Sequence, residues 1–299
     1  DIPVAVYNAP MGGAALKIYG IGMPMVRGAT DFNPSIDFAD YFNISISAGM
    51  AKGLPLAKPA QYKEIMRGRI LQAYGNWQGT SQTLDFILGL PRGISANPLN
   101  YQYQCQQGTP LNTAIENTLK VAFKGVVLEK DITVNISANL VPPETVTHRC
   151  HTLTEFSQML NELSKSIIKD TNYPGIQIAF QNGYIDVYDY TNIENRTPHP
   201  IEFTDFIGMP TWIGVQTITF KTVMRGDLKV GDVITMPKQS QDLGLILSAP
   251  GSYAQYRNTA AFTGKFWITS IRHTGMFRQG NADSWVSTFQ AISLLPFKA

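Results

Sequence analysis

Apolar and polar residues alternate most legibly around Asn182-Gly183, the pair preferred in a two-residue type I′ turn. Pairing outward from it sets Phe180 opposite Ile185 and Ile178 opposite Val187, so these four apolar side chains share one face, while Gln177, Gln181, Tyr184 and Tyr188 share the other. A β-hairpin of fixed register is expected. Two earlier segments carry the helical period instead. From about Thr109 to Lys124, the residues Leu111, Ile115, Leu119 and Ala122 fall on one face, with Thr109 as the expected N-cap, Pro110 at the first helical position and Gly125 as the stop. A second helix is expected from Thr152, whose hydroxyl can cap while Glu155 reaches back, through Phe156, Leu160, Leu163 and Ile167 to a stop at Tyr173-Pro174-Gly175. Both helices laid on the apolar face of the hairpin make a small α/β unit, followed by a polar linker from Asn192 to Pro200.

The flanks are strand-like. Before the unit, Ala15–Gly20, Phe42–Ala48, Met66–Tyr74 and Thr83–Leu88 are candidate strands; after it come Val215–Val223, Asp232–Met236, Thr263–Thr274 and Ser284–Leu295. In the last pair, Phe266, Trp267, Ile268, Ile271, Trp285, Val286, Phe289 and Ile292 occupy both pleat faces, which requires cover on both sides. The expected fold class is mainly β (α+β), with a β domain over 1–108, an α/β insert over 109–195 and a second β domain over 196–299.

Composition narrows the function classes. Only 15% of the 299 residues are charged against 44% apolar, where soluble domains carry about 25% charged residues; so thinly charged a surface suits permanent subunit contacts, and equally a secreted or low-charge monomer. The net charge of +2, from 24 basic and 22 acidic residues without a basic block, disfavours nucleic acid as the primary partner. Two cysteines, Cys105 and Cys150, are too few for a disulfide framework and fit folding in a reducing cytoplasm. The opening Asp1-Ile2-Pro3-Val4 lacks a basic segment before an apolar one, and no stretch approaches about 18 uninterrupted apolar residues. Neither a leader nor a membrane span is expected.

Candidate chemistry is sparse. His148, Cys150 and His151 lie close together but lack the second ligand pair of a zinc site. His199, between Pro198 and Pro200, and His273, on a strand, are expected at a surface or interface. Gly12-Gly13 lacks the rest of a phosphate-binding loop, and no Gly-x-Ser-x-Gly elbow occurs. Asp37, Asp40 and Glu64 are scattered carboxylates that the sequence does not bring to one cleft. No catalytic, cofactor-binding or metal-binding residues are assigned. Gly49–Leu56 reads either as an apolar loop offering Met50 and Leu54 to a neighbouring subunit or as a plain connection whose glycines allow positive φ. The Gly275–Ala282 loop reads as facing a lumen or a partner.

Several word-like stretches carry a resemblance. They are Leu16-Lys17-Ile18-Tyr19-Gly20, Gly49 to Ala57 and Ala73-Tyr74-Gly75-Asn76-Trp77-Gln78-Gly79-Thr80 in the first region. In the middle are Thr109-Pro110-Leu111, Tyr173-Pro174-Gly175 and Ile185-Asp186-Val187-Tyr188-Asp189. In the last region are Leu228 to Ile234, Ile271-Arg272-His273-Thr274-Gly275 and Trp285-Val286-Ser287-Thr288-Phe289. In these the chain resembles the tail hub (baseplate hub) proteins of long-tailed bacteriophages. The resemblance implies two tail-tube-like β domains flanking the insert and a structural, non-enzymatic subunit of the virion baseplate, made in the host cytoplasm. It further implies a homotrimeric ring that adapts a sixfold tail tube to a threefold central spike. The implied partners are further copies of the chain, the tail tube and central spike proteins, and tape measure and other baseplate proteins, with DNA only in transit through the lumen and no stable membrane binding. A cell-wall-degrading or receptor-binding baseplate component is the alternative.

Overall fold

The computed structural model describes residues 1–5, 14–30, 43–50, 52–54, 57–89, 100–124, 127–170, 173–194, 196–214, 216–237, 262, 264–277 and 279–294. Gly12, Gly13, Asp37, Asp40, Phe42, Pro55, Leu56, Gly125, Val215, Thr263 and Leu295 of the sequence reading lie outside them. Mainly β with few helices, the chain divides into two compact units. One comprises Asp1–Pro3, Tyr7–Ser47 and Glu64–Asp189; the other comprises Val4–Val6, Ala48–Lys63 and Tyr190–Ala299.

After a first strand β1 (Ile2–Ala5), the first unit sets β2 (Ala14–Tyr19), α1 (Met23–Thr30), β3 (Asn43–Ala48), β4 (Lys63–Gln78) and β5 (Ser81–Gly89) in chain order. The four strands form a sheet in the order β2-β5-β4-β3. β4 outruns the expected Met66–Tyr74 at both ends. Its pairing with β5 continues to Gln78 opposite Ser81, because Gly79 at φ 59° begins a two-residue turn that keeps the strands in step. A register shift between Ile70 and Gln72 bulges the strand at Leu71.

The rest of this unit holds β6 (Tyr101–Cys105), α2 (Leu111–Ala122), β7 (Ile132–Asn135), β8 (Val146–Cys150), α3 (Leu153–Ile167), β9 (Gln177–Gln181) and β10 (Tyr184–Tyr188). The hairpin has the expected turn and register: Asn182 and Gly183 sit at φ 55° and 83°, with Ile185 opposite Phe180 and Val187 opposite Ile178. β7 adds in parallel to the outer edge of β10, and β6 pairs with β8 as a separate ribbon. Tyr101 and Tyr103 of that ribbon are buried with Phe156 of α3, the Tyr101 and Phe156 rings stacking at 5.2 Å.

Both helices form, with altered ends. α2 is not capped by the Thr109 hydroxyl; Pro110 is its N-cap, and the first helical N–H, on Leu111, is satisfied by the Leu140 carbonyl at 3.0 Å. Phe123, fully buried at the C-cap, takes the place expected for Ala122, which is half-buried. At α3, Thr152 Oγ1 accepts from the Glu155 N–H at 3.1 Å, but the Glu155 carboxylate accepts from the N–H of His151 rather than that of Thr152, at 2.8 Å. Leu163 and Ile167 stay half-buried, whereas Ser164 is buried and its Oγ accepts from the Ile176 N–H at 2.9 Å. Together with Asn161, whose amide donates to the carbonyls of Pro174 and Ile176, it ties the chain reversal at Gly175 (φ 84°) to the helix.

In the second unit, α4 (Tyr190–Glu194) and β11 (His199–Pro200) occupy the stretch expected to be a linker, and Ile193 is fully buried. There follow β12 (Thr211–Trp212), β13 (Thr217–Val223), β14 (Val233–Thr235), β15 (Lys265–Gly275) and β16 (Trp285–Ser293). Their sheet runs β11-β14-β15-β16-β13-β12, with β1 also on β15. Phe266, Trp267 and Ile268 are consecutive and all buried, so both faces of β15 are covered there, as its composition requires. Among the described residues no helix is long and apolar enough to cross a membrane.

Candidate functional site

The residues with the most obvious chemistry do not converge. His148 on β8 and His151 beyond it are exposed, while Cys150 is buried on the same ribbon. His199 is exposed on β11. Glu64 on β4 is engaged by Arg67, 3.1 Å away, and by the Ser45 hydroxyl. Among the described residues no group of three or more His, Cys, Asp or Glu side chains could hold a metal ion.

A polar network that the sequence reading missed runs through the second unit. Across its central strands, Thr222 of β13, Ser287 of β16 and His273 of β15 lie in one row, and all three are buried. His273 is thus a core residue and not the surface or interface residue expected; it lies on the pleat face of buried Ile271, two residues before it. Ser287 Oγ accepts from the Arg225 N–H at 3.1 Å and donates to the Arg225 carbonyl at 3.2 Å. His273 Nδ1 lies within hydrogen-bond distance of the same Oγ, at 2.8 Å, and Nε2 has no hydrogen-bond partner among the described residues. Burial holds the imidazole neutral, lowering its pKa to about 4.

Beyond Ser287 the network becomes ionic. The Arg225 guanidinium grips both Asp227 oxygens, from Nε and Nη2 at 2.7 Å each, and reaches Asp205 from Nη1 at 3.1 Å. Lys58 completes it with 2.7 Å bonds to Asp205 and Glu202. Burial raises the Asp205 carboxyl pKa, but the Lys58 hydrogen bond and the Arg225 charge outweigh it, so the group lies below its ordinary value. A serine beside an imidazole can act as a nucleophile only where substrate reaches it. Here Ser287 and His273 are 0% and 2% exposed, and the row serves the fold.

Exposed apolar side chains are more informative. On the four-stranded sheet the register puts Tyr19, Tyr74 and Ile87 on one face and Ile18 and Trp77 on the other. Tyr19 is 70% and Trp77 65% exposed. Among the aromatics of the first face, Asp85 is already paired with Lys17 at 3.2 Å and with the Asn76 amide at 2.6 Å, so covering that face strands no free carboxylate. The second unit exposes Met209, Trp212 and Ile213 around its short edge strand β12, and Met276 and Phe277 in the loop after β15.

In the Gly49–Leu56 stretch the described residues form a connection that is fixed at its first residue. A Cβ on Gly49 would lie 2.7 Å from Tyr62 Cα, and the Gly49 carbonyl accepts from Trp285 Nε1 at 3.2 Å, so this end is a fixed connection. Leu54 is 52% exposed.

No protein-family model matches the chain, and no curated protein matches it. Among solved structures, the 43 kDa tail protein of prophage MuSo2 from Shewanella oneidensis aligns over 98% of this chain and 92% of its own, with a TM-score of 0.50 and 8% identity. The tail protein from Neisseria meningitidis MC58 aligns over 77% of this chain and 81% of its own, with a TM-score of 0.45 and 10% identity. At such identity the likeness is one of fold, and it is the fold of the Shewanella oneidensis tail protein that this chain shares along nearly its whole length.

Proposed function

We propose that this chain is a structural, non-enzymatic subunit of a bacteriophage tail, a tail hub that assembles into a homotrimeric ring in the baseplate. The observation that carries the reading is the fold shared with the prophage tail protein over 98% of the chain. The exposed aromatic side chains of the four-stranded sheet support it, since lasting subunit contacts are rich in aromatic residues and poor in charge. In this reading the four-stranded and seven-stranded sheets are the cores of two tube-like domains. Three copies then present six such domains to a sixfold tail tube and threefold symmetry to a central spike, with DNA passing through the lumen. A closed ring also leaves no sheet edge open to uncontrolled pairing.

The test is the mass and symmetry of the purified chain. Light scattering is expected to give three times the 33.0 kDa of one chain, and electron microscopy a threefold ring. A monomer at high concentration, together with absence of the chain from isolated tails, would overturn the proposal. Turnover of purified peptidoglycan would replace it with a cell-wall-degrading role, and binding of the isolated chain to host cells with a receptor-binding one.

A further inference from the structure

The Ala48–Lys63 segment belongs to the second unit yet contributes little to its interior. Of its described residues only Ala48, Gly49 and Gln61 are buried; Lys52, Gly53, Leu54, Pro59, Ala60, Tyr62 and Lys63 are exposed and the others half-buried. Segments with few buried apolar contacts open at lower free energy than the core they lie on. Its attachments cluster at two places. At the near end, Trp285 Nε1 donates to the Gly49 carbonyl at 3.2 Å. At the far end, Gly226 N–H donates to the Gln61 carbonyl at 2.8 Å, and the Lys58 ammonium spans Asp205 and Glu202 with two 2.7 Å bonds. Bonds between charged groups are roughly twice as strong as neutral ones, so Lys58 dominates the hold. When Lys58 lets go, Asp205 keeps one charged partner, because Arg225 Nη1 stays on its other oxygen at 3.1 Å.

We propose that the described residues between Gly49 and Tyr62 act as a strap latched within the second unit by Lys58, and that it opens as a separate element, leaving the seven-stranded sheet folded and Glu202 and one oxygen of Asp205 without their ammonium partner. The inference is independent of the tail reading, since every contact it uses lies within one chain.

Hydrogen exchange of the full chain, read by mass spectrometry beside limited trypsin digestion, tests it. In Lys58→Met, amides of the strap are expected to exchange roughly tenfold or more faster, and cleavage after the exposed Lys52 to accelerate in parallel. Peptides containing Phe220 and Phe289 should keep their original rates. Lys58→Arg should restore slow exchange, and Lys221→Met, which removes a surface pair with Asp283, should leave the strap unchanged. Strap and sheet accelerating together, a Lys58→Met chain that does not fold, or a strap rate that does not move would each overturn the latch. In the unaltered chain, exchange at rising sub-denaturing urea must show the strap opening before the sheet; a single common opening would also refute it.

Discussion

His273 and Ser287 stand directly opposite each other on β15 and β16, Nδ1 and Oγ 2.8 Å apart, in the closed interior of the second unit. An imidazole placed there is stable only without its charge, because Nε2 meets no acceptor among the described residues.

That gives the unit an acid limit. A histidine in an unfolded chain titrates near 6.5, whereas folded His273 titrates at about 4. Between these values the unfolded chain binds more protons, so stability rises with pH: the contribution is complete above about 6.5 and is lost as pH falls toward about 4. The total is on the order of 3 kcal/mol. Urea midpoints measured from pH 7 to pH 4 are expected to fall more steeply for the natural chain than for His273→Asn, which keeps a hydrogen-bonding side chain beside Ser287 but does not titrate. Parallel profiles would show that the imidazole does not set this limit.

The hairpin turn gives a second prediction. Gly183 sits at φ 83°, and an added Cβ would meet nothing closer than Arg67 Cδ at 3.6 Å, so the cost of a side chain there is backbone strain alone. Gly183→Ala is expected to destabilise the first unit by about 1–2 kcal/mol, seen as a lowered thermal midpoint with unchanged circular dichroism at 25 °C. Asn182→Gly keeps the turn but loses the 2.6 Å bond from Nδ2 to the Glu64 carbonyl, and should cost about 1 kcal/mol.

What the sequence disclosed follows from where the forces are local. The 177–188 hairpin was legible because turn chemistry and two-residue alternation agree, and α3 because its cap and stripe do. β6 was overlooked although Tyr101, Tyr103 and Cys105 alternate with polar residues in the strand period. β7 is only four residues long, and β8 is largely exposed, so neither carries a periodic signal. The buried network was out of reach for another reason: Lys58 meets Asp205 across 147 positions, a pairing that only the folded chain creates. His273 was nearer to legible, since it shares a pleat face with the apolar Ile271 two positions before it.

The cysteines should behave as inert core residues. Tyr101 pairs with Cys150 and Cys105 with Val146, so the thiols sit at opposite ends of the β6–β8 ribbon, about 13 Å apart along the strands. A disulfide requires Cα atoms within about 7 Å. Burial also pushes both thiols above their ordinary pKa, leaving little thiolate at neutral pH. Iodoacetamide is expected to leave the native chain unmodified over the time in which it adds two groups to the urea-unfolded chain. Rapid native labelling at either position would contradict the burial of that thiol.

The last prediction concerns the exposed aromatics and separates assembly from folding. Tyr19 and Trp77 lie on opposite faces of the four-stranded sheet and contribute little to its core at 70% and 65% exposure. Tyr19→Ser removes only a loose contact with Lys17, whereas Trp77→Ser also removes the 2.8 Å bond from Nε1 to the Gly79 carbonyl at the turn. Neither is expected to lower the thermal midpoint of a dissociated chain by more than a few degrees. If these faces carry the proposed ring, each buried aromatic contributes about 2 kcal/mol to association, so either variant should weaken the trimer roughly 30-fold. Phe277→Ser, in the loop after β15, provides a comparison with a similarly exposed side chain elsewhere. Sedimentation across a concentration series reads all three. Trimer affinity unchanged in Tyr19→Ser and Trp77→Ser but reduced in Phe277→Ser would move the contact to the second unit's loop. Unchanged affinity in all three would leave the aromatic side chains as surface without a role in the ring.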